Sequence, residues 1–374
     1  MNILVTGGLG FIGSFVVEKL LERGYAVTII DNLAPQVHRS SHQPLTPANV
    51  KLLIGDIRDR GMMEQALTGV DVVIHCAAAV GVAQSLYQPY HYIDVNVAGT
   101  ALLLELLLQR KQKLHKLILL SSMTEYGEGL YLRPSDDSLI RIEIRDSHHI
   151  QKHGWEPVCP YTGELITPVP IPEDAELLGK NIYALSKRYQ EELTLSLAQL
   201  YAIPAVCLRL FNVYGPRQSL SNPYTGVLAI FLSRLLAEQP PIVFEDGNQT
   251  RDFVSVHDVC RAILLALDNP KADGQVFNIG SGEPRRIIEC ATTLTHLLGK
   301  DAIEPLANGE FRKGDIRHCT ADIRKAQRVL NYQPQITWYD GLQELVQWAK
   351  TASSTDYFAQ ADAELRQHGL IQKF

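Results

Sequence analysis

The chain has 374 residues, 46% hydrophobic and 20% charged, an ordinary globular composition with enough length for two domains or one large core with a lobe. A net charge of -6 argues against nucleic acid or an anionic membrane as the main partner. The six cysteines (Cys76, Cys159, Cys207, Cys260, Cys290, Cys319) form no CxxC pair, no basic leader precedes the first strand pattern, and no apolar run reaches the ~20 residues of a membrane span, so a cytoplasmic protein with reduced thiols is expected.

In chain order, residues 2–6 read as a strand and 13–23 as a helix with Phe15, Val16, Leu20 and Leu21 on one face. Strand patterns follow at 26–30 (ended by Asp31), 50–54, 70–76 and 114–121, with helical patterns near 62–67 and 95–109. Near-continuous apolar strands alternating with helices predict an α/β fold, a doubly wound parallel sheet covered on both faces. The segment AGTALLLELLLQ, 98–109, is apolar on almost every side. It predicts cover by the sheet on one side and by a second subunit on the other, hence a homodimer, with cover by the chain's own loops as the alternative. From about 128 to 179 the alternation stops and six prolines intervene, which predicts an insertion near the functional site. A helix (183–201) and a strand (205–210) resume the pattern. The chain therefore divides into a nucleotide-binding domain at 1–210, a smaller α/β lobe at 211–350, and a polar tail at 351–374 that reads as a surface helix or loose end.

The first strand runs into Thr6-Gly7-Gly8-Leu9-Gly10-Phe11-Ile12-Gly13 and then the first helix. Gly7, Gly10 and Gly13 permit a tight turn whose N–H groups approach a pyrophosphate at the helix N-terminus, with Phe11 and Ile12 in the same turn. Asp31, beside Asn32 at the end of the second strand, is placed to grip both hydroxyls of an adenine ribose. It would repel a 2′-phosphate, so NAD is expected over NADP. Asp56 and Ile57 are expected to border the adenine, and the small Ala77, Ala78 and Ala79 to let a dinucleotide lie close.

In YALSK, Tyr183 and Lys187 lie one helical turn apart, so both project from one face. A tyrosine ionises near pH 10 and is a poor base at neutrality unless a cation lowers its pKa, a role open to Lys187.

Together TGGLGFIG, Asp31, VNVAGT (95–100), SSMTEYG (121–127), YALSK and LFNVYGPRQ (210–218) resemble the extended short-chain dehydrogenase/reductases of the sugar-nucleotide epimerase/dehydratase type, over nearly the whole chain. The resemblance implies a Rossmann-type sheet with a smaller C-terminal α/β substrate-binding lobe. It implies Ser122, Tyr183 and Lys187 as the catalytic group, with Asn96 supporting the cofactor site by hydrogen bonding. The segments YGEGLY, WEPVCP, PVPIPED, RQSLSNPYTGV, VFEDGNQTRDFVSVHDV and GDIRHCTADI resemble, more narrowly, members that interconvert dTDP-L-rhamnose and dTDP-6-deoxy-L-talose. That implies a 4-epimerase acting on a dTDP-sugar (or UDP-sugar) through transient oxidation at C4 with bound NAD. A 4-ketoreductase, or an NAD-binding redox sensor without catalysis, are the competing readings.

Dehydratases of this family place Asp and Glu directly after the catalytic hydroxyl; here Met123 and Thr124 stand there. Glu125 is one position too late, and in an extended segment it would face the other way, so it is expected to be a structural carboxylate. Arg217, Arg251 and Arg317 are expected to fork onto the diphosphate, Asn212 to bond the diphosphate or sugar, and Ser85 to face the sugar. The insertion is expected to form a lid or wall over the sugar. Its His148, His149, His153 and Cys159 match no zinc spacing, so no metal site is expected.

Overall fold

The computed structural model describes residues 1–38, 47, 49–224 and 226–373. Seven strands, β1 (Asn2–Thr6), β2 (Ala26–Asp31), β3 (Val50–Ile54), β4 (Val72–His75), β5 (Lys116–Ser122), β6 (Ala205–Leu210) and β7 (Gln275–Ile279), form one sheet. All neighbours pair in parallel, in the order β7-β6-β5-β4-β1-β2-β3. The chain order reverses between β1 and β4, the point at which the C-terminal ends of strands open a crevice. Every residue of β5 is buried, as expected of a strand covered on both faces. The expected Rossmann-type architecture is the observed one.

Helices α1 (Phe11–Glu22) and α5 (Val256–Asp268) cover one face, where Phe15, Leu20, Val259 and Ile263 pack on Ile3, Val5 and Ile118. Helices α2 (Arg60–Leu67), α3 (Pro89–Gln109) and α4 (Ile182–Tyr201) cover the other. By length and composition α3 is apolar enough to cross a membrane, yet Asp94 and Glu105 interrupt it and 44% of its most apolar window is buried inside the fold. Its Leu103, Leu104, Leu106 and Leu107 are buried with Met63 and Leu67 of α2 and Leu193 and Leu197 of α4. The cover assigned to a second subunit is thus supplied largely by the chain's own helices.

The lobe carries a small sheet of Asn212–Tyr214, Thr250–Ser255, Pro284–Arg286 and His318–Cys319, packed with helices Val227–Leu236, Ile287–Leu298 and Trp338–Thr351. The boundary at 210 is not a clean cut. Residues of α5 and β7 return to the first sheet, where Val259, Ile263, Phe277 and Ile279 join its core, because an apolar face on α5 has to be buried against that sheet. The insertion has structure of its own: strands Leu130–Arg133, Ser138–Arg141 and Thr167–Val169 pair antiparallel around Tyr131, Ile140 and Ile166. Within it, His148, His149 and His153 lie on the short helix Ser147–His153. The tail is docked rather than loose, as helix Phe358–Gln367 and strand Ile371–Lys373, the latter antiparallel to Glu310–Arg312.

Candidate active site

The turn between β1 and α1 is built around close approach. A Cβ on Gly13 would lie 2.1 Å from the Gly7 carbonyl oxygen, and one on Gly7 (φ +66°) 2.9 Å from Ala77 Cα. Only glycine fits at either position. Gly10 precedes α1 without a capping side chain, and no acidic residue sits in the first turn, an arrangement that suits an anion. The nearly buried Asp31 fastens the turn: its Oδ2 accepts from Leu9 N–H at 3.0 Å and its Oδ1 from Leu33 N–H at 2.9 Å. Asn32 donates to Asp56 at 2.9 Å, and hydrogen bonds from Arg58 hold the Asp56 carboxyl well below the usual range.

Ala77–Ala79 are held from behind. Asn96 sits in a π-helical turn of α3 (Ile93–Ala98), accepts from Ala79 N–H at 2.7 Å, and donates to the Ala79 carbonyl at 3.0 Å and to Ser186 at 2.9 Å. Such turns are frequent at functional sites because they re-aim one side chain. Asn96 does not line the cleft; it shapes the loop that does.

The cleft, with about 600 Å³ of room, begins at Gly7, Gly10, Phe11, Ile12 and Gly13 and passes Asp31, Asn32, Asp56 and Ile57. It continues past Ala77, Ala78 and Ala79 to Ser122, Tyr183 and Lys187, then into the lobe at Asn212, Phe244 and Arg251. The sequence-predicted cofactor residues other than Asn96 therefore share one cleft with Ser122, Tyr183 and Lys187.

Tyr183 lies in the first turn of α4, with Asn181 capping the helix through Ala184 N–H at 2.8 Å. Burial pushes the Tyr183 phenol up to about 12, and a hydrogen bond with Ser122 works against that rise. Lys187 is also buried; it donates to the Leu120 carbonyl at 2.6 Å and to Gln190 Oε1 at 2.7 Å, and desolvation pulls it down to about 8.

Glu125 is not in an extended segment. Met123–Tyr126 form a 3₁₀ turn capped by Ser122, and this turn carries the Glu125 carboxylate inward to the Ser121 hydroxyl and to Ser122 N–H at 3.4 Å. Arg209 stands 3.7 Å away and is shared with Glu191. Burial, reinforced by Glu191, pushes Glu125 up to about 8. Met123 and Thr124 line the cleft and Glu125 does not. The strand-alternation argument fails for this turn, yet the carboxylate still points away from the cleft.

Three expected substrate contacts lie elsewhere. Ser85 is fully buried; its Oγ accepts from Tyr183 N–H at 3.0 Å and donates to the Val82 carbonyl at 2.6 Å, so it braces the catalytic helix. Arg217 pairs with Glu18 at 2.8 Å and lies over the Phe15 ring at 4.3 Å, on the α1 side. Arg317 is fully buried and neutralised by Glu156, by Glu245 at 2.7 Å and by Asp246 at 2.7 Å. Neither arginine lines the cleft.

In place of those two, Arg312 lines the cleft with Arg251. One carboxylate orients both: Asp315 accepts from Arg312 Nη2 at 2.7 Å and from Arg251 Nη2 at 3.3 Å. Arg312 shares the run FRKGDIR with Arg317, and only the tertiary placement of acidic partners distinguishes the buried guanidinium held by three carboxylates from the one that pairs with Asp315 at the edge of the cleft. Buried oxygens of Asn212, Gln218 and Gln249, all cleft residues, also lack a hydrogen-bond partner among the described residues, which marks them for a polar ligand. Neither glutamine carries a local sequence signal.

The glycine cradle, the adjoining Asp31 and the small Ala77–Ala79 fit a dinucleotide, and the Arg251–Arg312 pair fits a second phosphorylated group. The sequence profile of the NAD dependent epimerase/dehydratase family matches residues 3–164 and 159–280. The dTDP-L-rhamnose 4-epimerase of Burkholderia thailandensis is 35% identical over 352 residues, 93% of this chain and 94% of that one. The putative UDP-glucose 4-epimerase of Methanocaldococcus jannaschii is 35% identical over 357 residues, 94% and 100%. Among solved structures, the UDP-glucose 4-epimerase of Thermotoga maritima with UDP-glucose superposes with a TM-score of 0.77 at 32% identity, covering 94% of this chain and 99% of that one.

Proposed function

The chain belongs to the NAD dependent epimerase/dehydratase family, and from that premise we propose that it interconverts dTDP-L-rhamnose and dTDP-6-deoxy-L-talose at C4. The observation that carries this reading is the wall formed by Ser122, Tyr183 and Lys187 beside Met123 and Thr124, with Glu125 turned away. It holds the groups for moving a hydroxyl proton and lacks an acid/base pair for removing water. The sugar and base are suggested by the similarity to the Burkholderia thailandensis enzyme. A UDP-sugar 4-epimerase is the second reading, favoured by the equally identical Methanocaldococcus jannaschii relative.

The glycine turn and Asp31 would hold NAD, which when bound supplies reversible oxidation of the sugar carbon and, in its oxidised form, a positive charge in the cleft. Tyr183 takes the proton of the sugar 4-hydroxyl and returns it at the end, while Ser122 holds the same oxygen. A phenol at about 12 is a weak participant at neutral pH, so positive charge has to lower it, and Lys187 is the chain's own source. Arg251 and Arg312 hold the diphosphate firmly while the sugar itself turns. No net oxidation occurs, so the cofactor is retained from one turnover to the next.

Six unpaired cysteines support a cytoplasmic setting. A homodimer is supported by the outward strip of α3, where Tyr90 and Ile93 are exposed. The test of the function is incubation with dTDP-L-rhamnose or UDP-glucose without added cofactor, followed by NMR of the sugar. The C4 epimer of the dTDP-sugar is the expected product. Conversion of UDP-glucose alone would establish the second reading. Consumption of added NADH with a dTDP-4-keto-6-deoxysugar, and no epimerisation, would make the protein a reductase.

A further inference from the structure

The roles assigned above use nothing after Arg312 and Asp315, yet the cleft does not end there. Phe358 and Leu365, both on the C-terminal helix, line the same cleft as Tyr183. That helix is tied down at several points. Glu364 accepts hydrogen bonds from the hydroxyls of Tyr224 and of Tyr87, the latter at 3.0 Å, and the Tyr224 hydroxyl helps hold its carboxyl below the usual range. The His368 ring stacks on Tyr87 at 4.5 Å with 9° between the planes. Arg234 lies over the Phe358 ring at 4.6 Å and pairs with Asp356 at 3.2 Å. Beyond the helix, Ile371–Lys373 pairs with the strand that carries Arg312.

These ties lead back to the chemistry. Tyr224 abuts Gly81, where a Cβ would lie 3.3 Å from the Tyr224 Cβ and 2.8 Å from the Tyr92 hydroxyl. The Tyr92 ring in turn meets the Tyr183 ring edge-on at 6.2 Å. A continuous wall therefore runs from the catalytic tyrosine through Tyr92, Gly81 and Tyr224 to Glu364. Phe358 borders the cleft with its ring beneath Arg234, and Leu365, nearly buried, borders it with an edge.

We propose that the C-terminal segment is a working part of the substrate site, Phe358 and Leu365 forming an apolar wall against the bound sugar nucleotide and Glu364 the positioning residue that holds this wall to Tyr87 and Tyr224. The proposal rests on the reading of the cleft as a nucleotide-sugar site. It assigns the tail to substrate affinity and leaves the proton chemistry to Tyr183.

The test compares wild type, the double variant Phe358→Ala/Leu365→Ala, Glu364→Ala and Glu364→Gln, by steady-state kinetics and by calorimetric binding of dTDP-L-rhamnose and UDP-glucose. The double variant should raise KM and Kd roughly tenfold, keep kcat within about twofold, and retain wild-type NAD content. Glu364→Ala should behave likewise. Glu364→Gln, whose amide oxygen still accepts from both tyrosines, should stay near wild type, a rescue that a merely stiffening tail has no cause to show. An unchanged Kd in the double variant, or Glu364→Gln as impaired as Glu364→Ala, overturns the proposal. A wild type that binds neither sugar nucleotide overturns it too. A wild type that binds without turning over refutes the 4-epimerase reading alone, and the Kd values still judge the wall.

Discussion

Ser85 Oγ accepts a hydrogen bond from the backbone N–H of Tyr183 at 3.0 Å, so the loop that follows β4 caps the helix carrying the catalytic tyrosine. The loop bordering the cofactor cradle and the residue that moves the proton are thereby one mechanical unit. Ser85→Ala leaves that buried N–H without its partner, at a cost of about 1–3 kcal/mol. The expected outcome is a lower Tm and a several-fold lower kcat with little change in KM. Kinetics at saturating substrate check it.

Tyr183→Phe removes the proton carrier while keeping the ring against Tyr92. It should lower kcat by roughly 10²–10⁴ and leave Tm and bound NAD near wild type, as Ser122→Ala should more mildly. The check is activity alongside NAD released on denaturation. A Phe variant that loses catalysis yet leaves the protein's function unchanged would revive the noncatalytic sensor reading.

Lys187 has a folded pKa of about 8 against an ordinary 10.5, because burial disfavours its charge. Its stabilising contribution is complete above 10.5 and is lost as pH falls through about 8, so at pH 7 the buried ammonium is a net burden. Lys187→Met should therefore abolish turnover yet raise the unfolding free energy at pH 7, a gain that fades as pH rises from 8 to 10.5. Urea unfolding across that range checks the sign.

Glu125 shifts the other way, from an ordinary 4.5 to about 8. Its contribution is complete below 4.5 and lost as pH rises through about 8. Glu125→Gln keeps hydrogen-bonding capacity without the titration, so the variant should gain Tm relative to wild type at pH 8 and not at pH 4. Epimerisation should stay within about threefold, because the carboxylate does not face the cleft. Thermal scans at the two pH values, with product analysis, check both halves.

The arginines separate into two kinds. Arg312→Ala should raise KM about 10–100-fold, since it removes a guanidinium that borders the cleft beside the diphosphate. Arg251→Ala should raise it by less, because its Nη atoms are already engaged with the carbonyls of Thr250, Ile316 and Arg317 and with Asp315. Arg217→Ala should leave KM unchanged. Arg317→Ala should destabilise the fold by about 1–3 kcal/mol, since buried Glu245 loses one guanidinium partner but keeps Arg145, and Glu156 and Asp246 are partly exposed. Inhibition by dTDP and denaturant midpoints distinguish the two effects.

This division of arginines also marks where the sequence stops being readable. The cofactor end was legible because its parts are local: a strand, a glycine turn and a helix start lie within residues 2–22, and Asp31 closes the next strand. Tyr183 and Lys187 were singled out because helical spacing puts them on one face, a pattern common by chance that gained weight only beside the dinucleotide motif and the family resemblance. Arg317 and Arg312 were not separable, because their difference lies in Glu156, Glu245 and Asp246, brought in from distant segments. The chain's own cover over α3 was hidden for the same reason, since Met63, Leu193 and Leu197 come from elsewhere in the chain. The tail reads as polar because Phe358 and Leu365 are isolated among charged residues, and the cleft they face is formed by other elements.

The most direct test of the central claim uses dTDP-L-rhamnose deuterated at C4, incubated with the protein alone in ordinary water, with both sugars examined by NMR. The account predicts the C4 epimer with deuterium still at C4, because the hydrogen removed in the oxidation is returned within the same closed site. Deuterium lost to water, or no epimer while added NADH is consumed, would contradict it.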